Sequence, residues 1–402
     1  MSVGVCAPSG FLASATSCGL KRSGSPDLAL VVSESDCTAA GVFTQSLVRA
    51  APVLLDEKTL EENASSIKAV LANAGIANAC TGEEGARAAA EMQRQTARVL
   101  GCLPEQVLVL STGVIGVQLD LARIADGLKA LYPDLSSEGG EPTARAIMTT
   151  DTRPKYRSIQ VNSGEGSFTL GAMAKGSGMI HPNMATMLAV ITTDAAVPAP
   201  ILQLLLKQAV DLSFNRISVD GDTSTNDTVL LLANAASGVR IESEASISAF
   251  SKALTKLTVE LAKDIVRDGE GASRLVELQV KGCRSEADAQ KIASTIATSM
   301  LVKTAIAGGD PNWGRIVAAA GRAGVSFDPD LAILCIASVQ VPELELFSDG
   351  KPRSFDRQQA AQIFSADELF ITLDLQQGEK SARMWTCDLT TEYVHINADY
   401  HT

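Results

Sequence analysis

Short apolar runs alternating with amphipathic helical patterns predict a mixed α/β protein built in layers. Three observations carry this expectation. The 402 residues are 46% hydrophobic and 20% charged, a balance that buries a core and is unlike that of a disordered chain. Runs such as 28–32 (LALVV) and 107–110 (VLVL) are as short and apolar as buried strands. Between them lie windows of helical periodicity, 119–131 and 246–267 among them.

In chain order, 28–32 and 68–71 are expected strands. Thr81, with Glu84 three residues on, forms a capping box that opens a helix to about residue 100. Strand 107–110 runs into a turn at Ser111, Thr112 and Gly113. A helix over 119–131 stops ahead of Pro133, and 134–142 (DLSSEGGEP) is a polar loop. Strand 158–161 leads through a glycine-rich stretch to strand 187–192 (MLAVIT). The second half continues with helix 200–214, extended 228–232, helix 246–267, strand 275–280 and helix 286–305. Strands near 331–339 and 370–375 follow, and 391–396 closes the chain. There is no internal repeat and no low-complexity linker.

Composition narrows the function. Against 34 basic residues stand 46 acidic ones, a net charge of −12 with no offsetting basic cluster. Nucleic acid and anionic membrane surfaces are therefore poor partners. Aromatics at 4% supply no stacking platform for bases. The eight cysteines form no CxxC pair and only His181, His395 and His401 are available, which argues against a zinc site. Cysteines in apolar runs, such as Cys335 in LAILCIASV, are expected as reduced core residues of a cytoplasmic protein. The opening MSVGVCAPSG has no charge ahead of its weakly apolar stretch, unlike a secretory signal, and no apolar run approaches 18 residues.

Familiar catalytic motifs are missing. No GxGxxG follows a strand, and neither GxxxxGK[ST] nor GxSxG occurs. The stretch 220–228 (DGDTSTNDT) looks like a calcium loop but fails it, with Thr225 at the glycine position and Leu231 at the closing glutamate position. An enzyme poor in histidine needs another base. An amino-terminal threonine is one solution, because its own α-amine, with an ordinary pKa of about 7.7–8.0, can take the hydroxyl proton. Such a threonine must be uncovered by chain cleavage. Ala-Thr occurs at 15–16, 185–186 and 297–298; context favours Thr186, which lies between the turn KGSG (175–178) and an apolar strand.

The segment 171–195 (GAMAKGSGMIHPNMATMLAVITTDA) resembles the self-cleavage segment of the ornithine acetyltransferase, or ArgJ, family of arginine biosynthesis. Other blocks resemble the family in the same order. They are GVFT at 41–44, APV within 50–53, NACTG at 78–82, STGVIG at 111–116, TTDT at 149–152, DGDTSTNDT at 220–228, DGEG at 268–271, GGDPNWGR at 308–315 and the final residues 392–402. The resemblance spans essentially the whole chain.

It implies an αββα sandwich like that of self-cleaving aminopeptidases and amidases. Cleavage between Ala185 and Thr186 would give an α chain of 1–185 and a β chain of 186–402, intertwined in one catalytic unit and paired as α2β2. Thr186 would take acetyl from N2-acetylornithine as an acetyl-enzyme and pass it to glutamate, with acetyl-CoA as an additional donor in many members. The Thr112 side chain and the Gly113 N–H would form the oxyanion hole. Substrate would be held by Thr152 (or its neighbour Thr150), Lys175, Thr186, Glu270, Asn397 and Thr402, with no metal and no prosthetic group. One block departs: Ile76 and Ala74 stand where the family more often has polar residues, which removes hydrogen-bonding groups there. The rival readings are a self-cleaving amidase or aminopeptidase, and a binding protein that keeps the fold without catalysis.

Overall fold

A computed structural model describes residues 3–181 and 187–399. The chain forms two compact units, one running to Asn215 and resuming over Asp222–Ile265, the other made of Arg216–Gly221 and the chain from Val266 onward.

The first unit contains β1 (Phe11–Thr16), β2 (Leu28–Phe43), α1 (Ala51–Asn63), β3 (Ile67–Ile76), α2 (Gly82–Leu100), β4 (Val107–Val114), α3 (Leu121–Leu131) and α4 (Gly140–Ala146). It continues with β5 (Lys155–Asn162), β6 (Ser167–Lys175), β7 (Leu188–Thr193) and α5 (Ala199–Asp211). The two-residue β8 (Ile217–Ser218) departs to the second unit before β9 (Thr228–Ala233) and the long α6 (Glu244–Arg267). The first sheet has eight strands in the order β4-β3-β2-β9-β7-β6-β5, with β1 paired to β2. β3 and β4 run parallel, as do β7 and β9.

Strand β2 organises this sheet. Its first part pairs with β3 (Leu28 opposite Asn73) and its last part with β9 (Thr38 opposite Ala233). The register shifts between Val32 and Cys37, where Glu34, Ser35 and Asp36 are exposed. Ahead of that shift the period of two splits the side chains between two cores. Leu28 and Leu30 join Leu71, Val109, Met92 of α2 and Ile124 and Leu128 of α3. Ala29 and Val31 join Val70, Leu108 and Ala144 and Ala146 of α4. With both faces covered, β2, β3 and β4 read as continuous apolar runs.

The second unit holds β10 (Leu275–Cys283), α7 (Glu286–Ala297), α8 (Met300–Ala307), α9 (Trp313–Gly321), β11 (Ile333–Ser338), β12 (Leu344–Ser348) and β13 (Lys351–Pro352). After these come α10 (Arg357–Phe364), β14 (Glu368–Asp374), β15 (Lys380–Cys387) and α11 (Thr391–Asp399). Its seven-stranded sheet is ordered β13-β12-β11-β14-β10-β15-β8. Leu278, Ile292, Ile316, Leu334, Ile371 and Met384 lie in one core that joins strands to α7 and α9.

Two sheets with helices packed on them are the mixed α/β class expected. Several local expectations need correction. The helix expected over 286–305 is two helices, because Ser299 caps α8 by accepting the Val302 N–H, so the chain restarts there. Thr81 stands at the start of α2 but makes no cap; its hydroxyl donates to Asn78 Oδ1 at 2.8 Å. Within the glycine-rich stretch expected between strands 158–161 and 187–192 lies a strand that was not anticipated, β6, whose residues 170–175 are buried. Among the described residues, no helix is long and apolar enough to cross a membrane.

Candidate active site

The site is built at the end of β4, where apolar VLVL gives way to Ser111, Thr112 and Gly113. Ser111 Oγ donates to Asn73 Oδ1 of β3 at 2.6 Å, and Asn73 Nδ2 donates to the Ile76 carbonyl at 2.9 Å. Thr112 is buried. Gly113 has φ +130°, and a Cβ there would stand 2.2 Å from the Gly75 carbonyl carbon. Only glycine fits, and its backbone lies hard against β3. Ile76 supplies no polar group; its side chain packs against the core shared with α2 and α3.

Lys175, at the end of β6, comes to the same place. It is 2% exposed, and its Nζ donates to Thr149 Oγ1 at 2.8 Å and to Thr112 Oγ1 at 3.5 Å. The ammonium stands 3.9 Å from Asp151 Oδ2. Asp151 accepts from Lys155 Nζ (2.7 Å), the Gly176 N–H (2.7 Å) and the Thr149 N–H (3.0 Å). Burial alone would raise this carboxyl, but Lys175 and Lys155 beside it hold it well below the usual carboxylate range. It is a fixed negative charge that anchors both lysines.

Of the threonines in TTDT, Thr149 takes the Lys175 ammonium, Thr150 Oγ1 lies 2.7 Å from Ser177 Oγ, and Thr152 is exposed. Ala185, Thr186 and Thr402 lie outside the described residues. Met187, the residue after Thr186, is described: its N–H donates to Asp227 Oδ1 at 2.9 Å. Asp227 is fully buried, and burial pushes its carboxyl well above its ordinary range despite that N–H. Beside it, Asn226 Nδ2 donates to the carbonyls of Ala77 (2.7 Å) and Ser111 (2.8 Å).

Glu270 and Asn397 meet in the second unit. Glu270 follows α6, and its Oε2 accepts from Asn397 Nδ2 of α11 at 2.8 Å. Gly271, at φ +68°, would bring a Cβ within 2.5 Å of the Tyr393 N, so this turn needs glycine where it meets α11. Thus the structure joins Thr112, Gly113 and Lys175 in one unit, and Glu270 and Asn397 in the other.

Sequence reasoning missed Thr149, Asp151, Asn226 and Asp227. Asp151 sat inside a motif read for its threonines. Asn226 and Asp227 lay in a stretch weighed as a calcium loop and set aside. The hydrogen bonds of Asn226 and Asp227 reach residues distant in sequence, and such pairing is invisible locally.

The family model and the curated relatives agree with one another. Residues 12–402 match the family model described as the ArgJ family. A curated protein of Symbiobacterium thermophilum, named arginine biosynthesis bifunctional protein ArgJ, is 49% identical over 99% of this chain and 98% of its own length. One of Thermotoga neapolitana with the same name is 46% identical over 98% of this chain and 99% of its own. Among solved structures, an arginine biosynthesis bifunctional protein argJ of Bacillus halodurans matches with 37% identity and a TM-score of 0.48, over 52% of this chain and 97% of that one. The site and fold are those of a mixed α/β protein with a glycine-backed threonine beside a buried lysine. The chain belongs to the ArgJ family.

Proposed function

We propose that this chain transfers acetyl from N2-acetylornithine to glutamate through Thr186, in the cyclic arginine pathway. Its class follows from its family: the chain is a glutamate N-acetyltransferase of arginine biosynthesis. In this reading the Thr186 hydroxyl first attacks the Ala185 carbonyl, and the resulting ester is hydrolysed to leave chains 1–185 and 186–402. The freed Thr186 then attacks the acetyl carbonyl while its α-amine takes the hydroxyl proton. Collapse expels ornithine, which leaves with that proton. The amine of glutamate attacks the acetyl-threonine, and N-acetylglutamate departs as the threonine hydroxyl re-forms.

The observation that supports this reading is the meeting of Thr112, Gly113 and Lys175 beside the anchored backbone of Met187. A hydroxyl held next to a buried ammonium, on a strand end fixed by glycine, is preorganised to stabilise negative charge on an acetyl oxygen. Lys175 and Thr149 would position the substrate, and the Glu270 carboxylate, with Asn397 and Thr402, would hold the ornithine ammonium. We assign the threonine role to Thr149, since its hydroxyl faces Lys175 while Thr152 is exposed. The cut would fall between β6 and β7, which pair from Leu170–Thr193 to Lys175–Leu188, so the two chains would stay joined by sheet hydrogen bonds. Pairing as α2β2, use of acetyl-CoA as a second donor, freedom from metal and prosthetic group, and residence in the cytoplasm belong to the same reading.

The test is transfer against hydrolysis. Purified protein is given N2-acetylornithine with and without glutamate, and ornithine, acetate and N-acetylglutamate are measured. Ornithine released only with glutamate, matched by N-acetylglutamate, is the expected result. Acetate released without an acceptor would make the protein an amidase instead.

A further inference from the structure

The Asp-Asn-Thr stretch ahead of β9 does more than turn the chain. Both amide hydrogens of Asn226 are spent on carbonyls of the β3–β4 end, Ala77 at 2.7 Å and Ser111 at 2.8 Å. Its own Oδ1 accepts from Thr225 Oγ1 at 2.6 Å, so the side chain is held from both ends. The Ser111 carbonyl shares a rigid peptide plane with the Thr112 N–H. Fixing that oxygen therefore fixes how Thr112 and Gly113 leave the strand.

The next residue reaches the other half of the site. Asp227 Oδ1 accepts the Met187 N–H at 2.9 Å, and its backbone carbonyl accepts the Thr44 N–H at 2.9 Å. Its second oxygen, Oδ2, is buried without a hydrogen-bond partner among the described residues. The loop behind the pair is tied to the start of α1 through Thr225 O, which accepts the Ala50 N–H at 2.8 Å, and Thr44 Oγ1 donates to Ser224 O at 2.8 Å. One dipeptide thus grips two chain segments that come together from more than 70 residues apart in sequence, 111–113 and 187.

We propose that Asn226 and Asp227 are a positioning pair for acetyl transfer: Asn226 holds the oxyanion-hole end of β4, and Asp227 holds the backbone directly after the nucleophile, so a single rigid step sets one against the other. This rests on Thr186 and Thr112 acting as proposed above. Neither residue touches the acetyl group. Their effect is on the turnover number and on self-cleavage rather than on substrate affinity. Displacing an oxyanion donor costs about a hundredfold or more in rate, and a shift of well under 1 Å is enough to weaken one.

The experiment compares the wild-type full chain with N226A, D227A and D227N, measuring self-cleavage on a denaturing gel, kcat and KM for N2-acetylornithine, and the thermal midpoint. The amide of D227N keeps an oxygen for the Met187 N–H. The expected result is that N226A and D227A cleave slowly and lose roughly tenfold to a hundredfold in kcat with KM within about threefold, while D227N recovers most of what D227A loses. Two results overturn the inference: N226A cleaving and turning over like the wild type, or D227N failing as completely as D227A, which would make Asp227 an acid in the chemistry. If D227A does not fold, N226A and D227N decide. A wild-type chain that stays uncut and inactive defeats the proposed function itself, whereas a cut, active wild type with indifferent variants defeats only the pair.

Discussion

At the scale of the residue, Thr112 is where the chemistry can be tested with least disturbance. Among the described residues its hydroxyl has one weak partner, Lys175 Nζ at 3.5 Å, so replacing it removes little that holds the fold. Thr112→Val keeps the branched shape and deletes the donor. A loss of about a hundredfold in kcat is expected, with KM and the thermal midpoint nearly unchanged. Kinetics and a melting curve on the same preparation check it; a variant with normal kcat would remove Thr112 from the oxyanion hole. Gly113 is a different case, since any side chain there collides with Gly75 and would disturb the strand end as well as the chemistry. The meeting of Thr112, Gly113 and Lys175 was legible because their motifs stand beside strand ends and match a known family in order. That Thr149, of the three threonines in TTDT, is the one that meets Lys175 was not legible, because adjacent threonines differ only in where their side chains point.

At the scale of the element, the loop between α4 and β5 and the end of β6 share one buried charge cluster. Asp151 is fully buried between Lys155 at 2.7 Å and Lys175 at 3.9 Å. Its carboxyl is held below its ordinary value by those ammonium groups, so its stabilisation is present above the unfolded-state pKa of about 3.9 and is lost as the pH falls. Asp151→Asn removes the shared partner of two buried lysines, at an expected cost of about 3–5 kcal/mol near pH 7. Against denaturant, the gap between variant and wild type should narrow as the pH drops below about 4. A gap that stays constant from neutral to acid pH would mean the carboxylate charge does not matter. Long elements with one strong period were readable in advance: α3, α5 and α6 fall within a few residues of their expected limits. β6 was not, because Gly171, Ala172, Met173 and Ala174 are buried on both sides and carry no alternation to read. Helix α1 was missed for a similar reason, having no distinct apolar face despite Pro52 at its start.

At the scale of the whole molecule, the two compact units and the two expected chains are different divisions. The units part at residues 215–222 and 265–266, whereas the expected cut lies between Ala185 and Thr186, within the first unit. A cut there would separate neighbours in a sheet, β6 and β7, and leave their hydrogen bonds in place. The mixed α/β class was legible from the alternation of runs, and its two sheets from the family resemblance alone; which strands join which sheet was not, because β8 joins the second sheet from between α5 and β9 through only two residues. No composition signal marks such a crossing. Everything proposed for the chemistry depends on Thr186 having a free amine. The most direct check is the intact mass of the purified protein, before and after brief exposure to N2-acetylornithine without glutamate. Two fragments, 1–185 and 186–402, with the second gaining one acetyl group on Thr186, are the expected result. A single uncut chain, or an acetyl group carried on any other residue, would contradict the account.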